Sequence, residues 1–79
     1  MRIDKYLKNS RIIKRRSVAK KACEQGRVVI NDKKVKPGDK VKVGDVIKIE
    51  FGTGTMKVEV LKVIDNPSKN KADELYKVL

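Results

Sequence analysis

Arg2, Arg11, Arg15, Arg16 and Arg27 are all the arginines in the chain, and every one falls in its first third. A guanidinium is a flat fork of donors that meets phosphate oxygens two at a time and stacks on bases, whereas a lysine ammonium is a point charge. The lysines, by contrast, run through the whole sequence as solubilising residues do. Residues 1–27 hold ten cations and two acids, a net +8; residues 28–79 hold eleven cations and eight acids, a net +3. The chemistry that this distribution can perform is the gripping of a polyanion, and it belongs in the N-terminal third. The candidate polyanion-binding residues are Arg2, Lys5, Asn9, Arg11, Lys14, Arg15, Arg16, Lys20, Lys21 and Arg27, with Lys8, Lys33 and Lys34 as additional contacts.

Other chemistries are poorly served. Histidine is absent and Cys23 is the single cysteine, so Cys/His zinc sites cannot be assembled. The ten acids are scattered and read as surface and turn residues, and no Gly-rich phosphate loop occurs. No catalytic residue, metal or cofactor is expected. Asp4 reads as a helix-start charge or as the partner that orients a nearby cation. Cys23 cannot form an intrachain disulfide, no apolar leader follows Met1, and no apolar run reaches membrane length. A cytoplasmic protein without membrane contact is expected.

The elements that must hold these cations follow from periodicity. Ile3, Tyr6, Leu7 and Ser10 share one face of a helix over 2–9, with Arg2, Lys5 and Asn9 on the other. Arg11 to Arg16 connects it, through apolar anchors Ile12 and Ile13, to a second helix with Ser17 as N-cap and Gly26 at its C-terminal end. Val18, Ala19, Ala22 and Cys23 make its buried stripe. After Gly26 the period becomes two: a strand from Arg27 to Ile30, a turn at Asn31-Asp32, a return at 33–35 and a turn at Pro37-Gly38-Asp39. A broken strand follows over 41–49, then a hairpin loop over Phe51–Thr55, a strand over 57–63 ended by Asn66-Pro67-Ser68, and a helix over 69–78. Tyr6 and Phe51 are expected in the core, which argues against a base-stacking platform. The fold class is α+β: two basic helices on a small antiparallel sheet, with a short C-terminal helix. Residues 1–65 are expected to form the cation-bearing binding domain and 66–79 a helical tail packed on or near it.

The order Met-Arg-Ile-Asp-Lys-Tyr-Leu, an arginine-rich corner, Ala-Lys-Lys-Ala-Cys-Glu-Gln-Gly-Arg-Val-Val-Ile-Asn-Asp, Lys-Pro-Gly-Asp-Lys-Val and Gly-Asp-Val-Ile resembles the S-four (alpha-L) RNA-binding domain. The resemblance covers about residues 1–52. The opening and the run Ser-Arg-Ile-Ile-Lys-Arg-Arg-Ser most resemble the short ribosome-associated quality-control branch of the heat-shock-protein-fifteen group. The resemblance implies a non-enzymatic factor on the large (50S) ribosomal subunit carrying peptidyl-tRNA. There it would contact rRNA and tRNA, alongside quality-control factors, in template-free C-terminal tailing of the nascent chain. A monomer is expected. One departure is Asp32, where the family usually has glycine.

Three other readings compete. A backbone-binding RNA chaperone or nucleoid protein would need only the charge, because phosphate contacts do not separate DNA from RNA. An RNA-modifying enzyme's appendage is disfavoured because 79 residues leave no room for a catalytic domain. A membrane-surface helix would need an exposed apolar face that the short helices lack.

Overall fold

In the computed structural model, which describes residues 1–65 and 69–79, helix α1 (Ile3–Asn9) buries Ile3, Tyr6 and Leu7 completely, the side that helical spacing selects. Helix α2 (Arg16–Glu24) buries Ala19, Ala22 and Cys23, small residues that let it lie close to α1 and the sheet. Two expectations for α2 need correction. Its N-cap is Arg15, extended at φ −116° and without a side-chain cap, so Ser17 lies inside the first turn. Val18 is 45% exposed, because the buried stripe of small residues is narrow and Val18 falls on its edge. The C-terminus is as glycine placement predicts. Gly26 takes φ +73°, its N–H donates to the Cys23 carbonyl at 3.0 Å, and the Arg27 N–H reaches the Ala22 carbonyl at 2.9 Å. This pair of bonds is a Schellman motif.

Strands β1 (Val28–Ile30), β2 (Lys33–Lys34), β3 (Val46–Phe51), β4 (Gly54–Val60) and β5 (Tyr76–Val78) form one antiparallel sheet in the order β2-β1-β3-β4-β5. Val28, Ile30, Ile47, Ile49, Val58 and Val60 alternate onto one face and join the helices in a single core. Asn31 and Asp32 both have positive φ, at 50° and 68°, the requirement of a two-residue type I′ hairpin. Asp32 therefore keeps the turn that glycine would make. The Asn31 side chain locks it: Nδ2 donates to the buried Asp45 carboxylate at 3.1 Å, and Oδ1 accepts from the Val46 N–H at 3.0 Å.

Four further expectations change. Val41–Val43 is not a strand: Lys40 makes one isolated bridge to Arg2, and regular pairing starts at Val46, after the Gly44-Asp45 turn. The β3–β4 loop is shorter than Phe51–Thr55, because Phe51 already pairs with Gly54. Phe51 is not core; it is 38% exposed, following Ile47 and Ile49 in alternation but at the strand's end, where helix cover runs out. The helix expected over 69–78 is a 3-10 helix, Lys69–Leu75, and the chain then pairs as β5 along the edge of β4. Asn66, Pro67 and Ser68, expected to end the preceding strand, lie outside the described residues.

Leu75 ties this end to α1. Its side chain is fully buried, and its carbonyl accepts from Tyr6 Oη at 2.6 Å and from the N–H groups of Leu61 at 2.8 Å and Lys62 at 3.2 Å. Burial, with the Tyr76 phenol nearby, pushes the Tyr6 hydroxyl well above the usual tyrosine range, which keeps it a donor.

Candidate nucleic-acid interface

The N-terminus of α1 is fixed before any cation is considered. The segment after the Pro37-Gly38 turn runs beside it: the Ile3 N–H donates to the Asp39 carbonyl at 2.7 Å and the Val41 N–H to the Met1 carbonyl at 2.9 Å. Asp4 follows at once, 1% exposed and fully inside this corner. A buried carboxylate must be paired or it shifts to its neutral form. Here Oδ1 accepts from the Lys5 N–H at 2.8 Å and from Arg2 Nε at 3.1 Å, and Oδ2 accepts from Arg2 Nη2 at 3.0 Å. Arg16 Nε stands 3.6 Å from the same Oδ2. One buried anion thus orients two half-exposed guanidiniums, one just before α1 and one at the start of α2. Asp4 is the orienting partner that its sequence position suggests.

Beyond this hub the connector carries Arg11, Lys14 and Arg15, all exposed. Arg11 sits just past α1 at φ 62°, in the left-handed region where a glycine is usual. Its N–H donates to the Lys8 carbonyl at 3.0 Å, and the Ile13 N–H donates to the Leu7 carbonyl at 3.1 Å, so the chain reverses and Ile13 returns to the core. A non-glycine residue in this region costs about 1–2 kcal/mol. Lys20, one turn after Arg16, and Lys21 are exposed on α2.

The remaining sequence candidates are placed differently. Lys5 Nζ bridges to Asp65 at 3.3 Å, and Asn9 Nδ2 donates to the carbonyls of Ile64 at 3.3 Å and Asp65 at 2.8 Å. Helical spacing correctly puts both on one side of α1, but that side clamps the chain leaving the sheet, so Asn9 acts first as a structural clasp. Arg27 is half-buried, and its Nε is buried without a hydrogen-bond partner among the described residues. Lys8, Lys33 and Lys34 are exposed; Lys34 lies beside Gly26, at the C-terminal end of α2. Cys23 is buried, and burial first, then the carboxylates of Asp4, Asp39 and Glu24, push its thiol up to about 11. Among the described residues no group of three acidic, histidine or cysteine side chains is placed to hold a metal, and no helix is long and apolar enough to cross a membrane.

Sequence reasoning missed two features. The strain at Arg11 has no signature, since no glycine marks the reversal. An apolar groove of about 200 Å³ opens beside the connector, with Ile12, Val18, Ile49 and Phe51 among its walls. Only an alternation read together with where the helix layer ends could have found it.

The family model described as S4 domain matches residues 1–47, which hold both helices, the connector and the first hairpin. The chain belongs to the S4 domain family. Among curated relatives, a protein named RQC P-site tRNA stabilizing factor from Listeria innocua is 46% identical over 79 residues, covering 100% of this chain and 86% of that one. One of the same name from Halalkalibacterium halodurans is 47% identical over 78 residues, covering 99% of this chain and 89% of the relative. Among solved structures, Heat Shock Protein 15 from Vibrio cholerae, described as trimeric, superposes with a TM-score of 0.92 at 30% identity, covering 100% of this chain and 81% of that one. The S4 domain match ends within β3, so it includes the Asp4 hub and every cation of the corner, while the likeness to these relatives continues through β4 and β5.

Proposed function

We propose that this S4 domain is a non-enzymatic factor that grips rRNA and tRNA on the large ribosomal subunit and steadies peptidyl-tRNA during rescue of stalled chains. The observation that carries the reading is the Arg2–Asp4–Arg16 hub: two guanidiniums held by a buried anion, next to an exposed connector of three cations. Held guanidiniums lose less freedom on meeting phosphate than free ones. The names of the full-length relatives support the ribosomal assignment. The contact set is Arg2, Arg11, Lys14, Arg15, Arg16, Lys20 and Lys21. Lys5 contributes where its exposed bridge to Asp65 opens. Its mechanism is positioning: simultaneous contact with two RNA backbones favours one tRNA placement, and no bond is made or broken. The factor acts as a monomer in company with other quality-control factors.

The test is equilibrium binding to 50S subunits, tRNA and duplex DNA at several salt concentrations. About six neutralised phosphates predict a log–log salt slope of roughly −4 to −5. Arg15→Ala/Arg16→Ala should weaken 50S binding severely. An unchanged affinity would overturn the interface, and equal affinity for duplex DNA would favour a general backbone binder.

A further inference from the structure

The groove beside the connector is lined by Ile12, Val18, Ile49, Phe51, Arg27 and Glu50, and its size suits one planar ring system. We propose that it receives a single unstacked RNA base. The proposal rests on the RNA-binding reading and adds a second mode of contact to it. Three observations favour a base. First, Phe51 and Val18 are 38% and 45% exposed here, an aromatic ring and a branched aliphatic side chain that face solvent until something apolar covers them. A ring and aliphatic walls suit stacking, which every base can supply. Second, Arg27 belongs to this wall, and its Nε is buried with no hydrogen-bond partner among the described residues. Base edges offer acceptors and N–H donors side by side. A phosphate has no apolar face to set against the Phe51 ring, while an aliphatic protein side chain would leave Arg27 Nε unsatisfied. Third, Ile12 and Ile13 stand between Arg11 and Lys14-Arg15 in one connector, so cations able to hold flanking phosphates stand next to the groove. On α2, Arg16 and Lys20 lie one turn apart on the edge near Asp4, whereas Val18 and Ala22 lie one turn apart on the groove edge. The helix thus separates backbone gripping from base insertion.

The experiment is an NMR titration of methyl- and aromatic-labelled protein with a short single-stranded oligoribonucleotide, and with the same oligomer made abasic at its centre. The base-bearing oligomer should shift the Ile12, Val18 and Ile49 methyls and the Phe51 ring saturably. The abasic oligomer should move only signals around the connector and bind about tenfold more weakly, as loss of one base–aromatic stack implies. Phe51→Leu, which keeps apolar bulk and the fold, should shrink that difference between the two oligomers; Arg27→Met should do the same. Equal binding of both oligomers, or groove signals that stay still on binding, overturns the base site. No binding of either oligomer while 50S subunits still bind also overturns it and leaves the ribosomal reading intact. Loss of both overturns the RNA-binding reading itself.

Discussion

Replacing Asp4 by asparagine separates positioned charge from charge alone. The substitution keeps the shape of a side chain that is 1% exposed and removes its negative charge. One terminal oxygen can still accept from the Lys5 N–H, now at 2.8 Å. The other becomes an amide that points N–H groups at Arg2 Nη2, which lies 3.0 Å from Oδ2 in the native protein, and removes the anion 3.6 Å from Arg16 Nε. Hydrogen bonds to charged groups contribute about 1.5–3 kcal/mol each, but both arginines are half-exposed and water replaces part of what is lost. A net destabilisation of about 1–2 kcal/mol follows, which lowers the Tm of a domain this small by roughly 5–15 °C. The two guanidiniums then sample many rotamers, and ordering them again on RNA weakens 50S binding by roughly tenfold. Charge counting predicts the opposite sign. The variant is one unit more positive than the native +11 and should bind a polyanion as well or better. Circular dichroism melting gives the first quantity; fluorescence anisotropy on 50S subunits, well below the Tm, gives the second. An unaltered Tm together with equal or tighter binding would refute the orienting role of Asp4.

Arg11→Gly relieves the backbone at φ 62° and should raise stability by about 1 kcal/mol in urea unfolding while weakening 50S binding, a trade of function for stability. Tyr6→Phe removes the 2.6 Å bond to Leu75 and should cost about 0.5–1.5 kcal/mol, with hydrogen exchange quickening first in β5. The Cys23 thiol, pushed up to about 11, should resist a thiol reagent at pH 8 in the native protein and react at once in denaturant. Because this shift is upward, its stabilising effect is complete below the unfolded thiol's pKa near 9 and is lost as pH rises through 11, so Cys23→Ala should flatten that part of the stability profile.

The helices were legible because Ile3, Tyr6, Leu7 and Ala19, Ala22, Cys23 recur at helical spacing and polar residues fill the gaps. The Asn31-Asp32 turn was legible because few residues take positive φ twice in succession. The C-terminal strand was not. Ala72, Leu75 and Tyr76 recur as they would on an α-helix, yet β4 leaves an open edge that Tyr76–Val78 fills, a tertiary demand that local spacing does not contain. Phe51 follows the alternation correctly, and only the limited reach of the two short helices decides that it stays half in solvent. In the candidate interface, arginine placement is what the sequence offers, whereas the use of Asn9 depends on where residues 64–65 pass, far along the chain.

A small domain with a net charge of +11 must tolerate its own repulsion before a partner arrives. Arg2 and Arg16 approach the same carboxylate, which lies between them. Moving that carboxylate to the surface would leave an exposed pair, screened by salt and weak. Burying it makes the pair geometrically definite, at the expense of desolvating an anion that both helices must then help to satisfy. The same logic accounts for arginine rather than lysine at positions 2 and 16. A guanidinium can present Nε, and for Arg2 one Nη as well, to Asp4 while other N–H groups of the fork remain available to phosphate. A lysine would have to share one ammonium between the two. The hub therefore fixes the fold's N-terminal corner and the direction of its surface charge with one set of contacts, which is why a change at Asp4 should register in both measurements.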